Sequence, residues 1–239
     1  MYAKKGAFFY LLWFAFVTAS PHHWPIRFCN KNDPKINDCL LKTAKESLPV
    51  VSKGIRKMGL ARLDPWKLGL RSLSASGGPV TLGVSVDEGV IRGLGNATLT
   101  SARLNKKGNK LIIESLHKKL IFSGKQDLTG TFLLYPLNSN GVFHGQVDNM
   151  RVTYTVHLNS TPAVIDMHMK SVEFIQIELT DNTLGYWGNA GLNKIVNDHW
   201  ETFYDVIRPH AEVILGEELT QTFKPLLSQY SLDELLPSQ

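Results

Sequence analysis

The chain has 239 residues, of which 43% are hydrophobic and 20% charged, and its formal net charge is +5. This length suits one domain that can bury a full core. The positive charge is spread thinly. The densest basic stretches, Lys106 to Lys110 and His117 to Lys119, contain no interleaved aromatic residues. We therefore exclude nucleic acid as a partner.

The first residues have the order of a secretory signal peptide. Lys4 and Lys5 precede an apolar stretch from Ala7 to Val17, and small residues follow it. We place the cleavage site after Ala19. A transmembrane anchor does not fit, because about eleven apolar residues span only roughly 17 Å as a helix, against the ~30 Å core of a bilayer. We expect a secreted, extracellular protein with a signal peptide at 1–19 and one domain at 20–239.

Cys29 and Cys39 are the only cysteines in the chain. In an oxidising compartment, two such cysteines are ordinarily joined. A zinc site needs about four ligands, and the nearest histidines, His22 and His23, have no second cluster. A thioredoxin-like redox couple would need the Cys-x-x-Cys spacing, which the chain lacks. We therefore expect a disulfide that ties an extended N-terminal lead to the first helix.

Two Asn-x-Ser/Thr sequons occur, at Asn96 and Asn159. Such triplets also arise by chance, but both fit the surface of an exported protein. We predict both as glycosylation sites.

The first helix follows the second cysteine. Asn37 or Asp38 is a suitable cap for a helix that starts near Cys39, and apolar residues recur at helical spacing up to Gly59. Pro49 has no backbone N–H to donate, so we expect it to kink or divide this helix.

From Leu63 to Thr180 the hydrophobic period changes to two, which indicates strands. Met150 to Leu158 alternates cleanly, as a half-buried strand does. The parity slips near Ser171, which predicts a β-bulge. Short turns such as Asn140-Gly141 predict an antiparallel sheet. The other predicted strands are Leu68–Leu73, Val80–Val86, Val90–Leu99, Leu111–Phe122, Leu128–Tyr135, Val142–Val147, Ile165–Lys170 and Ile175–Leu179.

From Leu192 the chain returns to a helical period, with an apolar stripe too wide for a helix lying on a surface. The stripe continues to Tyr230, which corresponds to a rod of roughly 60 Å. A compact domain of this size is only about 45 Å across. Either Pro209 or Gly216 breaks the rod, or the molecule is elongated and the sheet rolls around the helix. Both outcomes give an α+β fold.

Short motifs along the chain carry a family resemblance. Those near the N-terminus are Cys29, Cys39, Leu48-Pro49, Gly54-Ile55, Gly59-Leu60 and Leu63-Asp64-Pro65. Those further on are Val90–Leu94, Leu134–Leu137, Leu192–Trp200, Arg208-Pro209 and Leu232–Pro237. Together they resemble the signatures of the insect takeout and juvenile-hormone-binding protein family. Juvenile-hormone carriers often have a second cysteine pair, so this chain is closer to the takeout branch.

The resemblance implies a fold related to the tubular lipid-binding domains. In that fold a strongly curved antiparallel sheet wraps a long C-terminal helix, beside a short N-terminal helix, in an elongated roll with an internal hydrophobic tunnel. The resemblance also implies a secreted carrier whose partner is a hydrophobic small molecule such as a terpenoid hormone, a fatty acid or a quinone-like compound. We expect a monomer without a cofactor or a stable membrane insertion.

Candidate ligand-contacting residues follow from the pattern of the strands and the last helix. Met167 and Met169 are flexible, polarizable side chains that adapt to varied apolar shapes. Tyr154 can pack its ring and offer its hydroxyl to a ligand oxygen. For each candidate, plain core packing is an equally good interpretation. The residues that we expect to face the two methionines are Val152, Tyr154, Phe132, Leu134, Phe143, Trp200 and Phe203.

Two other functions compete with the carrier. A lipid-transfer protein docking on a membrane or a receptor could use the same tunnel. A secreted esterase would need a Gly-x-Ser-x-Gly elbow, but Gly83 to Asp87 lacks the last glycine and alternates as a strand. Asp166 and His168 share a strand face with Lys170, so we expect them to face solvent. We predict no enzyme and no metal site.

Overall fold

The computed structural model describes residues 29–105, 107, 109–158, 160, 163–228 and 236. The predicted signal peptide, the sequon at Asn159, Lys106, Tyr230 and most of the Leu232–Pro237 motif lie outside these residues. Asn96 lies in an exposed position of a short 3₁₀ turn, Leu94–Asn96, and its glycosylation stays a prediction.

The described residues form three α-helices and nine strands, and every strand pairing is antiparallel, as predicted. The helices are α1 (Ile36–Val51), α2 (Gly185–Asp198) and α3 (Trp200–Leu227). The strands are β1 (Trp66–Leu68), β2 (Arg71–Gly77), β3 (Val80–Arg92), β4 (Thr98–Leu104), β5 (Lys110–Phe132), β6 (Tyr135–Pro136), β7 (Ser139–His157), β8 (Val164–Ser171) and β9 (Phe174–Asp181).

The sheet is built around β5, whose 23 residues extend for roughly 75 Å at about 3.3 Å each. β7 pairs along one side of β5, while β3 and β4 lie end to end along the other side. β1 and β2 share the far side of β3, and β8 and β9 share the far side of β7. α3 contacts both β2 and β8, so the sheet curls around the helix as predicted.

Several predicted strands are parts of longer ones. Leu111–Phe122 and the start of Leu128–Tyr135 both belong to β5, which ends at Phe132. The expected break between them is absent: Gly124 continues β5 where β3 bulges, and a Cβ there would lie only 2.9 Å from the carbonyl oxygen of Asp87. Likewise, Asn140-Gly141 is not a turn but part of β7.

The prediction of one strand from Val90 to Leu99 is wrong. The carboxylate of Asp64 accepts hydrogen bonds from the backbone N of Gly93 and of Gly95, which holds the chain in a 3₁₀ turn between β3 and β4. The bulge predicted near Ser171 is confirmed. Arg151 pairs with Ser171 while its neighbour Val152 pairs with Met169, which leaves one extra residue on β8.

The N-terminal segment confirms the disulfide, since Cys29 and Cys39 are joined with their Cα atoms 5.9 Å apart. α1 starts at Ile36, earlier than predicted, and neither proposed cap serves it. Asn37 instead accepts a hydrogen bond from the backbone N of Leu104, on β4. Pro49 lies in the last turn of α1 and does not divide it.

The C-terminal helix is interrupted at His199, and neither Pro209 nor Gly216 breaks it. His199 has an extended φ of −123°, which separates the 14 residues of α2 from the 28 of α3. Gly216 has a different role, because a Cβ there would lie 3.0 Å from the carbonyl oxygen of Ile165. The glycine lets α3 approach β8 closely.

Asparagines four residues apart on α2 bond alternate residues of β9. Asn193 accepts from Leu179 N at 2.7 Å and donates to Leu179 O at 2.9 Å. The two periods match, because four helical residues rise about 6.0 Å and two strand residues about 6.6 Å. The other pairs are Asn189 with Asp181 and Asn197 with Ile177.

α3 continues the same contact along β8. Glu212 Oε1 accepts from Met169 N at 2.7 Å, and Thr220 Oγ1 accepts from Ile165 N at 2.9 Å. Gly216 lies between them on the helix. The outer edge of the sheet is therefore bonded to helix side chains, so it is not left free to pair with another chain.

Candidate functional site: an apolar cavity between sheet and helix

A cavity of about 410 Å³ lies between the concave face of the sheet and the helices α2 and α3. This volume falls within the roughly 300–1,000 Å³ of small-molecule sites. Along α3 the lining residues extend from Trp200 to Leu219, a distance of roughly 28 Å at about 1.5 Å per residue. The cavity is therefore long and narrow, a shape that suits a chain-like molecule.

The cavity wall is almost entirely apolar. Trp66 and Trp200 lie on opposite walls, one from β1 and one from α3. The polar side chains in the lining are few: Arg71, Ser72, Ser123, Gln126, Arg208 and the tyrosines Tyr154 and Tyr204. Such a wall can bind apolar surface and offers polar contacts at only a few points.

Most of the residues predicted as ligand contacts lie together in this wall. Neighbouring strands bring Met167 and Met169 on β8 next to Tyr154 on β7, which pairs directly with Met167. The predicted residues that line the cavity are Met167, Met169, Tyr154, Phe143, Trp200 and Phe203.

The other three predicted residues are not part of the lining. Val152 is 1% exposed and packs within the wall. The ring of Phe132 packs against those of His199 and Phe203, with centroids 4.7 and 5.4 Å apart. Leu134 is 95% exposed, because β5 ends at Phe132 and the chain turns away after it.

The hydroxyl of Tyr154 already has a hydrogen-bond partner within the wall. It lies 3.1 Å from Nε2 of His117, and Ser115 Oγ lies 3.0 Å from the same nitrogen. Burial raises the pKa of Tyr154 to about 12 and lowers the pKa of His117 to about 4, so both groups are neutral at physiological pH. The Tyr154 ring thus lines the cavity while its hydroxyl belongs to the wall.

His117 is buried, unlike its basic neighbours in the sequence. We had counted it in a basic stretch, but its side chain is only 3% exposed, in the middle of β5. Its neighbours at the edge of the same stretch, Lys118 and Lys119, point outward. The pairing of β5 with β7 is interrupted at Lys118, opposite Asn149, which has a positive φ of 50°; the register is unchanged on either side.

Sequence reasoning missed two polar residues of the lining. Gln126 on β5 is 6% exposed; its Nε2 donates to Ser139 Oγ at 2.8 Å, whereas its Oε1 is buried without a partner among the described residues. The hydroxyl of Tyr204 on α3 is likewise buried and unpartnered there. Gln126 could have been found, since it keeps the inward parity of the apolar residues Phe122 and Leu128.

The cavity reaches solvent along the seam between β2 and α3. Gly69 and Ser72 line it and are exposed. One arginine of the lining, Arg71, stands at this seam and pairs with Glu218 of α3. The other, Arg208, lies on α3 with its Nη1 3.5 Å from Oε1 of Glu212, which faces β8. The rim is therefore polar and the interior apolar.

The acid and histidine pairs considered for catalysis lie elsewhere. Asp166 accepts from His157 at 2.6 Å, and His168 Nδ1 lies 3.1 Å from Glu212. Asp166 and His168 are exposed, as predicted, and neither they nor His157 lines the cavity. Ser85 lies within β3, and its hydroxyl is 2.8 Å from that of Ser72.

Neither metal-ligating clusters nor membrane-spanning helices are found in the part of the chain that the structure describes. No three or more of its His, Cys, Asp and Glu side chains group so as to hold a metal ion. None of its helices combines the length and the hydropathy needed to cross a membrane.

A solved structure shares this architecture. A crystal structure of Takeout 1 from Epiphyas postvittana has the same fold, with a TM-score of 0.71 and 17% identity over 89% of this chain and 100% of that chain. A structure of lipopolysaccharide binding protein gives a TM-score of 0.38 and 15% identity over 80% of this chain and 39% of that one. A comparison with curated proteins found no match. The family model described as haemolymph juvenile hormone binding protein matches residues 10–237, so this chain belongs to that family.

Proposed function

We propose that this protein is a secreted, non-catalytic carrier that binds a hydrophobic small molecule in the cavity between the sheet and α3. The observation that carries the proposal is the cavity itself, which is lined by apolar and aromatic side chains along roughly 28 Å of the helix. The description of the family, haemolymph juvenile hormone binding protein, agrees with a ligand-binding role.

The driving force for binding is the transfer of apolar surface out of water, at roughly 25 cal/mol per Å². The two methionines Met167 and Met169 add adaptability, since their side chains rearrange around differently shaped molecules. A terpenoid, a fatty acid or a quinone-like compound would fit this requirement. The apolar run before Ala19 and the disulfide both support export to an oxidising fluid.

The direct test is to purify the secreted protein without detergent and identify the molecules in its organic extract by mass spectrometry. We expect an apolar compound in stoichiometric amount. After the extract is removed, a fluorescent apolar reporter such as N-phenylnaphthylamine should bind. The carrier function would be contradicted if the extract contained no such compound and the reporter showed no more binding than it does in buffer without the protein.

A double variant tests the location of the site. Met167→Glu with Met169→Glu places two charges in the apolar wall, so reporter binding should be lost. Leu134→Glu is the control, because it adds a negative charge at a position that does not line the cavity. If the double variant is folded by circular dichroism and binds the reporter as the wild type does, the cavity is not the binding site.

A lipid-transfer function is the second candidate, and one surface favours it. Large apolar side chains are exposed at one end of the roll, where β5, β7, β9 and α2 all begin or end. Tyr and Trp are amphipathic and suit a membrane interface. The exposed residues are Leu133, Leu134 and Tyr135 before β7, and Tyr186 and Trp187, which is 84% exposed, at the start of α2.

Vesicles distinguish the two candidates. A transfer protein should sediment with phosphatidylcholine vesicles and speed the exchange of a fluorescent lipid between them. The double variant Leu134→Ser with Trp187→Ser should abolish both, whereas Val213→Ser, which removes an exposed apolar side chain of α3, should not. A carrier alone should bind its ligand without sedimenting.

An esterase remains the weakest of the three. The Ser115 hydroxyl is bonded to His117, but burial holds the pKa of His117 at about 4, and its Nδ1 has no partner among the described residues. Neither residue lines the cavity. The pair therefore lacks both the acid that orients a catalytic histidine and access to a bound molecule.

A further inference from the structure

Gln126 is the one residue of the cavity wall whose amide is fixed on one side and unpaired on the other. Its Nε2 donates to Ser139 Oγ at 2.8 Å, and Ser139 is itself buried. Its Oε1 is buried without a partner among the described residues. A buried acceptor without a donor costs free energy, so a bound molecule that supplies a donor would remove this cost.

The position of Gln126 decides where that donor would lie. On β5 it pairs with Gly141 of β7 and Val86 of β3, six residues before the strand ends at Phe132. The lining residues around it, Leu128, Leu137 and Phe143, belong to the core at this end of the roll. From there the cavity extends past Trp200 toward Trp66 and Leu219 with apolar walls.

We propose that Gln126, held by Ser139, anchors the polar head of the ligand, and that the cavity selects apolar chains ending in a hydrogen-bond donor, either an alcohol or an un-ionised acid. Molecules that carry only acceptors, such as ethers, esters and quinones, leave Oε1 unpaired. This inference rests on the proposed carrier function and narrows its ligand class. The chain of such a ligand points away from Gln126, along the wall that contains Met167 and Tyr154.

The arginines of the lining do not offer an equivalent site for an ionised head group. Arg71 and Arg208 already face the carboxylates of Glu218 and Glu212. Both arginines are also partly exposed, so water screens any further anion. The donor site at Gln126 is the more buried one, where a hydrogen bond is least screened.

The test compares three molecules that differ only at the head: dodecanol, methyl dodecyl ether and dodecane. Each displaces N-phenylnaphthylamine from the wild type, from Gln126→Leu and from Gln176→Leu. Gln176 is exposed on β9 and outside the lining, so it controls for the same change of side chain. Ser139→Ala is a second variant, which frees the amide of Gln126 without removing it.

For the wild type we expect dodecanol to bind at least about tenfold more tightly than the ether, because only the alcohol donates to Oε1. The preference should fall to within about twofold in Gln126→Leu, decrease in Ser139→Ala and persist in Gln176→Leu. Circular dichroism and thermal melting establish that each variant is folded.

Other outcomes distinguish a failure of the Gln126 anchor from a failure of the carrier function. Equal binding of the alcohol and the ether by the wild type would overturn the anchor while leaving the carrier intact, and this measurement needs no variant. If none of the three molecules displaces the reporter, both the anchor and the carrier are contradicted. If the preference for the alcohol persists in Gln126→Leu, the polar contact lies elsewhere in the cavity and the proposed anchor is wrong. The next residue to change would then be Tyr204, whose hydroxyl has no partner among the described residues.

Discussion

Asn193 on α2 bonds both backbone groups of Leu179 on β9, accepting from its N at 2.7 Å and donating to its O at 2.9 Å. The Asn193 side chain thus makes the two hydrogen bonds that the backbone of a neighbouring strand would otherwise make. Because Leu179 is buried, water cannot replace either bond.

Removing the Asn193 amide should destabilise the protein strongly. We expect Asn193→Leu to lower the free energy of unfolding by about 2–6 kcal/mol, since two buried backbone groups lose their partners at about 1–3 kcal/mol each. The exposed neighbour Lys194 is the control, and Lys194→Leu should change stability by no more than about 0.5 kcal/mol. Urea unfolding measures both. Similar midpoints for the two variants would show that the asparagine contacts contribute little.

Filling the cavity should separate ligand binding from stability. Ala211 lines the cavity on α3, so Ala211→Trp should occupy part of its 410 Å³ and weaken reporter binding at least about tenfold. Val213 is two residues further on the same helix and exposed, so Val213→Trp should bind as the wild type does. Reporter titration and thermal melting test this. Unchanged affinity in a folded Ala211→Trp protein would argue against this cavity as the site.

The buried His117 should make stability depend on pH. Burial lowers its pKa from 6.5 to about 4, so between these values the unfolded chain binds a proton that the folded protein does not. The His117 contribution is fully present above pH 6.5 and is lost as the pH falls toward about 4, by roughly 3 kcal/mol. In His117→Gln this part of the slope should disappear. Urea unfolding at several pH values across the window measures the effect.

Asp181 provides an internal control for that experiment. Hydrogen bonds from the side chain and backbone of Thr183 and from the backbone of Asn140 lower its pKa from 3.8 to about 2. Its stabilising effect is therefore present above pH 3.8 and is lost only as the pH falls from there to about 2. A slope between pH 4 and 6.5 that persists in His117→Gln would have to come from other groups.

The disulfide should contribute to stability without contributing to the cavity. Replacing Cys29 and Cys39 by serine reopens a loop of ten residues' separation, and the chain-entropy model gives a loss of roughly 2–3 kcal/mol. Neither cysteine lines the cavity, so reporter affinity in the folded variant should stay within about twofold of the wild type. A large loss of affinity in a variant that remains folded would connect the N-terminal lead to the site.

The sequence predicts the sheet and the wrapped helix because both depend on periodic burial. The alternation of Met150 to Leu158 identifies the inner face of β7, and the parity slip near Ser171 locates a bulge that the pairing confirms. The period does not tell where one long strand is divided. Gly124 lies between two strands that the sequence analysis separated, yet it belongs to one strand and is a point of close approach to its neighbour, which only the fold creates.

The site was predictable only in part, for a similar reason. Met167 and Met169 share an inward face, so their position in the wall follows from alternation. Leu134 fits the apolar pattern of a predicted strand, but its exposure depends on where β5 ends. The partner of the Tyr154 hydroxyl is His117, which is 37 residues away in the sequence and reaches it by strand pairing.

The two long sides of α3 are attached differently to the sheet, firmly along β8 and weakly along β2. Toward β8, the side chains of Glu212 and Thr220 accept hydrogen bonds from the backbone of the strand. Moving the helix away from β8 would leave these buried polar groups without partners. Toward β2, the polar contact is the partly exposed pair of Arg71 and Glu218 beside apolar packing. Breaking the contacts with β2 therefore costs less free energy than breaking those with β8. We expect a molecule wider than the rim to enter when the helix moves away from β2 while its attachment to β8 stays intact.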